Sequence, residues 1–360
     1  MTAAYINRIG TAVPDNDVHA SFIRFVDHML PEPKSRLLFK RMAQRAEIEH
    51  RYSYFEPGET PALAADRDGF YRPGHFATTA DRMKLYEERA IELAVRAFDA
   101  LGIDGERSGI THLIVTSCTG FGAPGLDHQL TKRLRLNPSI ERTLVGFMGC
   151  SAAVNALRLA RHTVRSEPSA RVLIVNLELC TLHLQDSAEL EKMLGYLLFG
   201  DGSAASLVTA EPNGIVLDDF RCATIPDSED LLTWSIGDSG FEMTLSGEVP
   251  SRIGRALRQE LRRNDSQGLL DANARDDVVL WAVHPGGRTI LDAVQQALEL
   301  DPHALCWSRD VLRDYGNMSS ATLMFVLERM MRTAPLESNG VALAFGPGLV
   351  AETFRFRLVA

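Results

Sequence analysis

Residues 143–158, TLVGFMGCSAAVNALR, hold the transition that decides the fold. The apolar run over 143–148 predicts a buried strand, and the alanine-rich run from Ser151 predicts a helix. Cys150 lies between the two, at the predicted helix N-terminus, and Gly149 permits the sharp turn. Free N–H groups and the helix dipole stabilise a thiolate there, so we expect Cys150 to have a lowered pKa and to act as a nucleophile. The alternative is a small, inert core cysteine.

The composition is that of a globular protein, because 45% of the 360 residues are hydrophobic and 24% are charged. The net charge of -9 argues against nucleic acid as the main partner. The five cysteines are scattered and form no CxxC pair, which disfavours a disulfide framework or a zinc site and favours a reducing compartment. The sequence shows neither a signal-peptide pattern nor a run of about 18 apolar residues, so we expect a cytoplasmic protein without membrane insertion.

Strands and helices alternate along the chain, which predicts an α/β fold. In the first part, we predict strands over 3–13, 111–117, 143–148, 171–177 and 199–208, and helices over 19–46, 78–101, 127–134, 151–157 and 188–197. In the second part, we predict strands over 214–219, 233–245, 277–283, 340–345 and 353–359, and helices over 250–263, 288–300 and 319–331. A weakly repeated order indicates two similar halves, 1–212 and 213–360, packed as one body.

Two further polar residues occupy positions typical of catalytic groups. His284 follows a predicted strand and precedes Pro-Gly-Gly, and Asn317 lies in the turn before an apolar helix. A cysteine with a distant histidine and asparagine is a recognised nucleophile arrangement, although each residue alone also fits a structural role. Three interpretations therefore remain: thiolase-type carbon–carbon bond formation, a cysteine hydrolase, or a non-catalytic scaffold.

The chain resembles the bacterial type III polyketide synthases, of the chalcone synthase-like branch of the thiolase superfamily. The resemblance covers 39–349 and rests on five motifs in order: GC at 149–150, LFGDG at 198–202, HPGG at 284–287, YGNMSSA at 315–321 and FGPGL at 345–349. It implies a five-layered αβαβα fold of two similar halves, working as a homodimer. It also implies iterative decarboxylative condensation of malonyl-CoA onto an acyl-CoA starter, followed by cyclisation, with no metal or redox cofactor.

The resemblance assigns roles to four catalytic residues. Cys150 carries the acyl group as a thiolate, paired with a charged His284. His284 and Asn317 donate hydrogen bonds to the thioester and malonyl carbonyl oxygens, and losing one such donor typically costs about 100- to 1,000-fold in rate. Phe199 packs over the site, separates it from the CoA tunnel and shields the thioester from water.

The resemblance also places residues around the substrate. The cavity residues are Cys118, Thr119, Ala123, Cys180, His183, Trp234, Met243 and Ser319. Thr119, Ala123 and Cys180 resemble the mouth of the fatty-acyl tunnel in bacterial alkylpyrone synthases. Trp234 should shorten the space for elongation, and Met243 replaces a second gate phenylalanine.

The basic segment over 35–51 is either a solvated helix face or a phosphate-binding rim. Arg41 and Arg45 match basic CoA-binding positions of the family, and Lys40 stands in for a lysine that falls at Leu38. Arg51 ends the same segment.

We therefore expect a fatty acyl-CoA starter, few malonyl extensions, and an alkylpyrone or alkylresorcinol product. One alternative is a phenol-type synthase that uses malonyl-CoA alone. Another is a ketoacyl synthase of fatty-acid biosynthesis, which condenses once.

Overall fold

The computed structural model describes residues 2–263, 268–270 and 277–360. The strands, numbered in chain order, are β1 Ala4–Ala12, β2 Asn16–Asp17, β3 Tyr52–Ser53, β4 Tyr71–Arg72, β5 His75–Phe76, β6 His112–Ser117, β7 Glu141–Gly146, β8 Val172–Leu179, β9 Asp201–Thr209, β10 Gly214–Thr224, β11 Leu232–Gly237, β12 Gly240–Leu245, β13 Leu280–Val283, β14 Asn339–Gly346 and β15 Val350–Val359. The α-helices are α1 His19–Met29, α2 Pro33–Arg45, α3 Thr79–Asp99, α4 Leu126–Arg133, α5 Ala152–Ser166, α6 Leu190–Tyr196, α7 Val249–Leu261, α8 Arg288–Ala297, α9 Cys306–Tyr315 and α10 Thr322–Thr333.

Nine strands form one sheet in the order β13-β14-β15-β10-β1-β9-β8-β6-β7. Strands β1 and β6–β9 come from the first part of the chain, and β10 and β13–β15 come from the second. The two sets join where β1 pairs antiparallel with β10, with Tyr5 opposite Val216. Strands β11 and β12 form a separate hairpin. The sheet is thus made of two half-sheets, one from each part of the chain.

Helices α5 and α10 form the central layer. Ala156 and Leu157 of α5, with Met324 and Leu327 of α10, are fully buried and share one core cluster with residues of both half-sheets. Helices α3 and α4 cover the other face of the first half-sheet, and α7 and α8 cover that of the second. The alanine-rich face of α5 suits this position because small side chains let two layers approach it closely. The layer order is αβαβα, which confirms the predicted fold class.

Three predicted elements are divided or shifted in the structure. The helix over 19–46 is two helices, α1 and α2, because Pro31 and Pro33 interrupt it, and Pro33 lies in the first turn of α2. The segment over 233–245 is the hairpin of β11 and β12. The helix at 319 starts as a short 3₁₀ turn, and α10 begins at Thr322.

The prediction of a buried strand over 143–148 was wrong about burial. Strand β7 pairs only with β6, at one end of the sheet, and most of its residues are exposed. Leu144, for example, keeps 44% of its surface exposed. An apolar run predicts a strand, but it does not say whether another strand covers its outer edge. Within the described residues, no helix is long and apolar enough to cross a membrane.

Candidate active site

Cys150 lies in a short 3₁₀ turn, Gly149–Ser151, that leads directly into α5. Gly149 has φ +59°, a left-handed conformation that favours glycine. A Cβ atom at Gly149 would also lie 2.4 Å from Cδ of Pro347. The turn before the nucleophile therefore needs glycine for both its conformation and its contact with the 347–349 segment.

Asn317 presents its amide nitrogen to the cysteine. The main-chain N–H of Ser319 donates to Oδ1 of Asn317 at 2.8 Å, which fixes that oxygen as an acceptor. Nδ2 of Asn317 is 4.0 Å from Sγ of Cys150 and 3.4 Å from the carbonyl oxygen of Gly286. Ser319 also lies beside the sulfur, with 3.8 Å between Oγ and Sγ of Cys150.

His284 directly follows β13, which ends at Val283. Its main-chain N–H donates to the carbonyl oxygen of Leu343, and its own carbonyl oxygen accepts from the N–H of Gly286. The ring is buried, and neither ring nitrogen has a hydrogen-bond partner in the described part of the chain. Asn317 thus contacts both Cys150 and the main chain of Gly286, two residues after His284, so the three predicted catalytic residues lie in one region of the fold.

The expected thiolate–imidazolium pair is wrong for this structure. Burial raises the pKa of Cys150 to about 11, and burial lowers the pKa of His284 to about 3. Removal of water from both groups outweighs the stabilisation that the helix N-terminus gives to a thiolate. Both groups are therefore neutral at pH 7.

A cavity of about 50 Å³ surrounds the cysteine. Its walls include Phe199 and six of the eight predicted cavity residues, which are Cys118, Thr119, Cys180, Trp234, Met243 and Ser319. Five other residues that were not predicted to line the cavity do so, namely Gly149, Tyr196, Leu232, Thr233 and Pro347. Gly149 and Pro347 belong to quoted motifs, whereas Leu232 and Thr233 adjoin Trp234 on the hairpin.

Two predicted cavity residues lie elsewhere. His183 is fully buried behind the wall, where Nε2 donates to the carbonyl oxygen of Thr119 at 2.6 Å and Nδ1 accepts from the N–H of Phe241 at 2.9 Å. Burial lowers the pKa of His183 to about 3, so the neutral ring is a structural brace. Ala123 is exposed at the surface of this chain and does not line the cavity.

Glu178 is a buried carboxyl group that the sequence analysis missed. It accepts hydrogen bonds from the N–H of Cys118 at 2.9 Å, the hydroxyl of Thr119 at 2.8 Å and the hydroxyl of Ser320 at 2.6 Å. Burial raises its pKa to about 7. The available signal was a glutamate inside the otherwise apolar run at the end of β8.

The predicted CoA-binding residues lie on α2, away from this cavity. Arg41 and Arg45 are exposed. Lys40 pairs with Asp27 at 2.9 Å and lines a surface cleft of about 690 Å³. Arg51 is buried, so it does not belong to a surface rim. Among the described residues, no group of three or more His, Cys, Asp or Glu side chains is placed to hold a metal ion.

Comparison with known proteins gives consistent matches over the whole chain. The family model for the N-terminal domain of chalcone and stilbene synthases matches residues 2–212, and the model for their C-terminal domain matches residues 220–360. A sequence relative is the alpha-pyrone synthesis polyketide synthase-like Pks18 of Mycobacterium tuberculosis. It is 33% identical over 374 residues, which cover 99% of this chain and 92% of the relative.

Two solved structures share the fold. The C-terminal type III polyketide synthase domain of Steely1, a type I/III hybrid from Dictyostelium, matches with a TM-score of 0.88 at 24% identity, covering 99% of this chain and 100% of that one. PKS-I from the brown alga Ectocarpus siliculosus matches with a TM-score of 0.85 at 28% identity, covering 100% and 99%.

Proposed function

Because this chain belongs to the chalcone and stilbene synthase family, it is a type III polyketide synthase, a transferase that forms carbon–carbon bonds, and we propose that it extends a fatty acyl-CoA starter with malonyl-CoA to an alkylpyrone. The alpha-pyrone synthesis named for the relative Pks18 supports the product class. Trp234 in the cavity wall supports few extensions, since its indole takes up space that a longer chain would need.

One observation carries the choice of starter. A second cavity, of about 40 Å³, adjoins the first, and the two share Cys180, Tyr196 and Phe199 as lining residues. Apolar side chains dominate its far side, including Phe22, Phe55 and Leu184. Opening the shared wall beside the small Cys180 would let an alkyl tail pass from the nucleophile into this space. Each buried CH₂ group contributes about 0.8 kcal/mol, so such a passage favours long starters.

The proposed reaction uses the neutral pair at the site. His284 takes the proton of the Cys150 thiol as the sulfur attacks the starter thioester, and CoA leaves. Malonyl-CoA then loses CO₂, and the enolate carbon attacks the carbonyl carbon held on Cys150, whose bond to the sulfur breaks, so that the extended chain is released as its CoA thioester. The side-chain amide N–H of Asn317 stabilises the negative oxygen in both steps, and Phe199 excludes water. We expect no metal or redox cofactor for this chemistry.

Exposed basic residues support binding of CoA at α2. Arg41 and Arg45 can form bidentate hydrogen bonds to phosphate oxygens, and Lys40 adds a third positive charge on the same helix.

We also propose a cytoplasmic homodimer. No strand of the described residues pairs with the outer edge of β7, which is therefore a ready template for a second strand. Large apolar side chains are exposed near it, among them Phe121 at 48%, Leu144 at 44% and Met148 at 40%. A second copy of the chain offers a matching edge. All five cysteines are free, as expected in a reducing compartment.

The test is mass spectrometry of the products from malonyl-CoA with a panel of acyl-CoA starters. Long alkylpyrones made by the wild type and by Cys222→Ala, and lost in Cys150→Ala, support the proposal, since Cys222 is exposed and outside the cavity. Alkylresorcinols would correct the mode of cyclisation. Products built from malonyl units alone would favour the phenol-type alternative, and a single condensation would favour a ketoacyl synthase.

A further inference from the structure

A backbone bridge, formed by two main-chain hydrogen bonds, joins the segment of Phe199 to that of Asn317. The N–H of Asn317 donates to the carbonyl oxygen of Leu198 at 2.8 Å, and the N–H of Gly200 donates to the carbonyl oxygen of Asn317 at 3.0 Å. Phe199 lies between the two bonds and pairs with Asn317 as an isolated bridge. The position of the Phe199 ring and that of the Asn317 amide therefore depend on one short contact between two loops.

The buried side chain of Arg51 lies against this bridge. It is only 1% exposed, and Nη1 donates to the carbonyl oxygens of Phe199 at 2.5 Å and of Tyr196 at 3.1 Å. Its Nε donates to Nδ1 of His19 at 3.0 Å, so the guanidinium is held from two sides.

Two glycines allow the arginine to approach both strands of the bridge. A Cβ atom at Gly316 would lie 2.8 Å from Cγ of Arg51, and one at Gly200 would lie 3.4 Å from its Cβ. Both glycines adjoin the paired residues, one before Asn317 and one after Phe199. The aliphatic part of the Arg51 side chain therefore packs directly on the bridge, and its guanidinium donates to the carbonyl oxygen of Phe199.

Stability alone does not explain a charge at this place. No carboxylate forms an ion pair with Arg51 in the described ranges, and Nη2 has no hydrogen-bond partner there. Asp17 and Asp201 act on the guanidinium electrostatically, without a direct ion pair, and apolar residues of similar volume often replace buried charges with no loss of stability. Burial lowers the pKa of Arg51 to about 10, so the charge persists at neutral pH.

We propose that Arg51 is a positioning residue that holds Phe199 and Asn317 in register, and thereby couples loss of CO₂ to carbon–carbon bond formation. The inference rests on the proposed condensation. In the coupled reaction, the enolate carbon left by CO₂ bonds to the acyl carbon, whose bond to the Cys150 sulfur breaks. If Phe199 shifts, water reaches the site and the enolate takes a proton instead, which turns malonyl-CoA into acetyl-CoA and CO₂.

The experiment measures CO₂ released per carbon–carbon bond formed, with Arg51→Met and Arg51→Lys. Arg82→Met is the matched control, because Arg82 is equally buried and donates to the carbonyl oxygens of Leu182 and Leu184, outside the bridge. Losing one charge-assisted hydrogen bond typically changes a rate or equilibrium constant about tenfold. We therefore expect the ratio of CO₂ released to carbon–carbon bonds formed to rise about tenfold in Arg51→Met. The rise should be smaller in Arg51→Lys and absent in Arg82→Met.

The inference would be overturned if Arg51→Met kept the wild-type ratio of CO₂ released to carbon–carbon bonds formed, because a purely structural role lowers both reactions together. An equal rise of this ratio in Arg82→Met would also overturn it. If the Arg51 variants do not fold, Gly200→Ala replaces them, since its methyl group would meet the carbonyl oxygen of Tyr315 at 3.0 Å and strain the same bridge. An unchanged ratio there would also contradict the inference. A wild-type enzyme that forms no carbon–carbon bond would instead refute the proposed function itself.

Discussion

Trp234 donates its indole N–H to the main-chain carbonyl oxygen of Cys118, with 2.6 Å between the two atoms. The bond ties the hairpin of β11 and β12 to the turn that follows β6, so the indole stays in the wall of the active-site cavity. His183 contacts the indole edge to face, with ring centroids 5.4 Å apart. The tryptophan is thus held where, in the proposed reaction, it would limit the space for a growing product.

Replacing Trp234 with alanine should therefore enlarge the cavity and increase the number of malonyl units per product. The measurement is the distribution of product masses from one acyl-CoA starter. Trp307→Ala is the control, because its indole N–H donates to Thr333 at 2.9 Å, outside the cavity. An unchanged distribution in Trp234→Ala would show that the indole does not limit elongation.

Cys180→Phe should close the passage between the two cavities. Loss of two buried methylene groups costs about 1.6 kcal/mol, so turnover of long acyl-CoA starters should fall at least about tenfold relative to short ones. Competition between a short and a long starter, followed by product analysis, measures this change. Cys222→Phe places the same ring at an exposed site and should not alter the preference. Equal losses for both starters would argue against the passage.

The raised pKa of Cys150, about 11, predicts how its alkylation depends on pH. Only the thiolate reacts, and its fraction grows tenfold with each pH unit below the pKa. Alkylation of Cys150 by iodoacetamide should therefore accelerate about 100-fold between pH 7 and pH 9. Peptide mass spectrometry assigns the modified cysteine. A rate that is already constant above pH 7 would instead show an ion pair with His284 in the free enzyme.

Glu178 should make stability depend on pH. Its folded pKa of about 7 lies above the ordinary glutamate value of 4.5, so its favourable contribution is present below pH 4.5 and is lost as the pH rises through 7. The loss is about 3 kcal/mol. Denaturant unfolding at pH 5 and pH 8 measures the free energy of unfolding of Glu178→Gln and of the wild type. The difference between them should shift in favour of Glu178→Gln at the higher pH. The exposed Glu49→Gln is the control, and a difference independent of pH would contradict the assignment.

The edge strand gives a prediction about assembly. Leu144→Asp puts a charge on the exposed edge of β7 and should convert the proposed dimer to a monomer, because a buried unpaired charge is costly at an interface. Light scattering after size exclusion measures the mass. Ile236→Asp changes another exposed apolar residue, 56% accessible on the hairpin, and should leave the dimer intact. A monomeric wild type would refute the dimer.

Much of the architecture followed from local patterns. Alternating strand and helix periodicity located most elements, and the Gly149-Cys150 turn lies where the change from apolar strand to alanine-rich helix put it. Helix α9 was missed, although Leu305, Val311 and Leu312 are buried at helical spacing. The exposure of β7 was missed because an edge strand and a central strand have the same composition.

The sequence by itself determined the family and the fold class, because these depend on local propensity and on motifs whose order the chain preserves, and the same motifs point to Cys150 as the nucleophile. Only the tertiary structure decided the charge state of that nucleophile. Burial, which comes from residues more than 100 positions away such as Asn317 and Pro347, removes water from Cys150 and keeps its thiol neutral. The hydrogen bond from Arg51 to the carbonyl oxygen of Phe199 could not be predicted from the sequence either. Desolvation and hydrogen bonding depend on distances between atoms that the order of residues does not record.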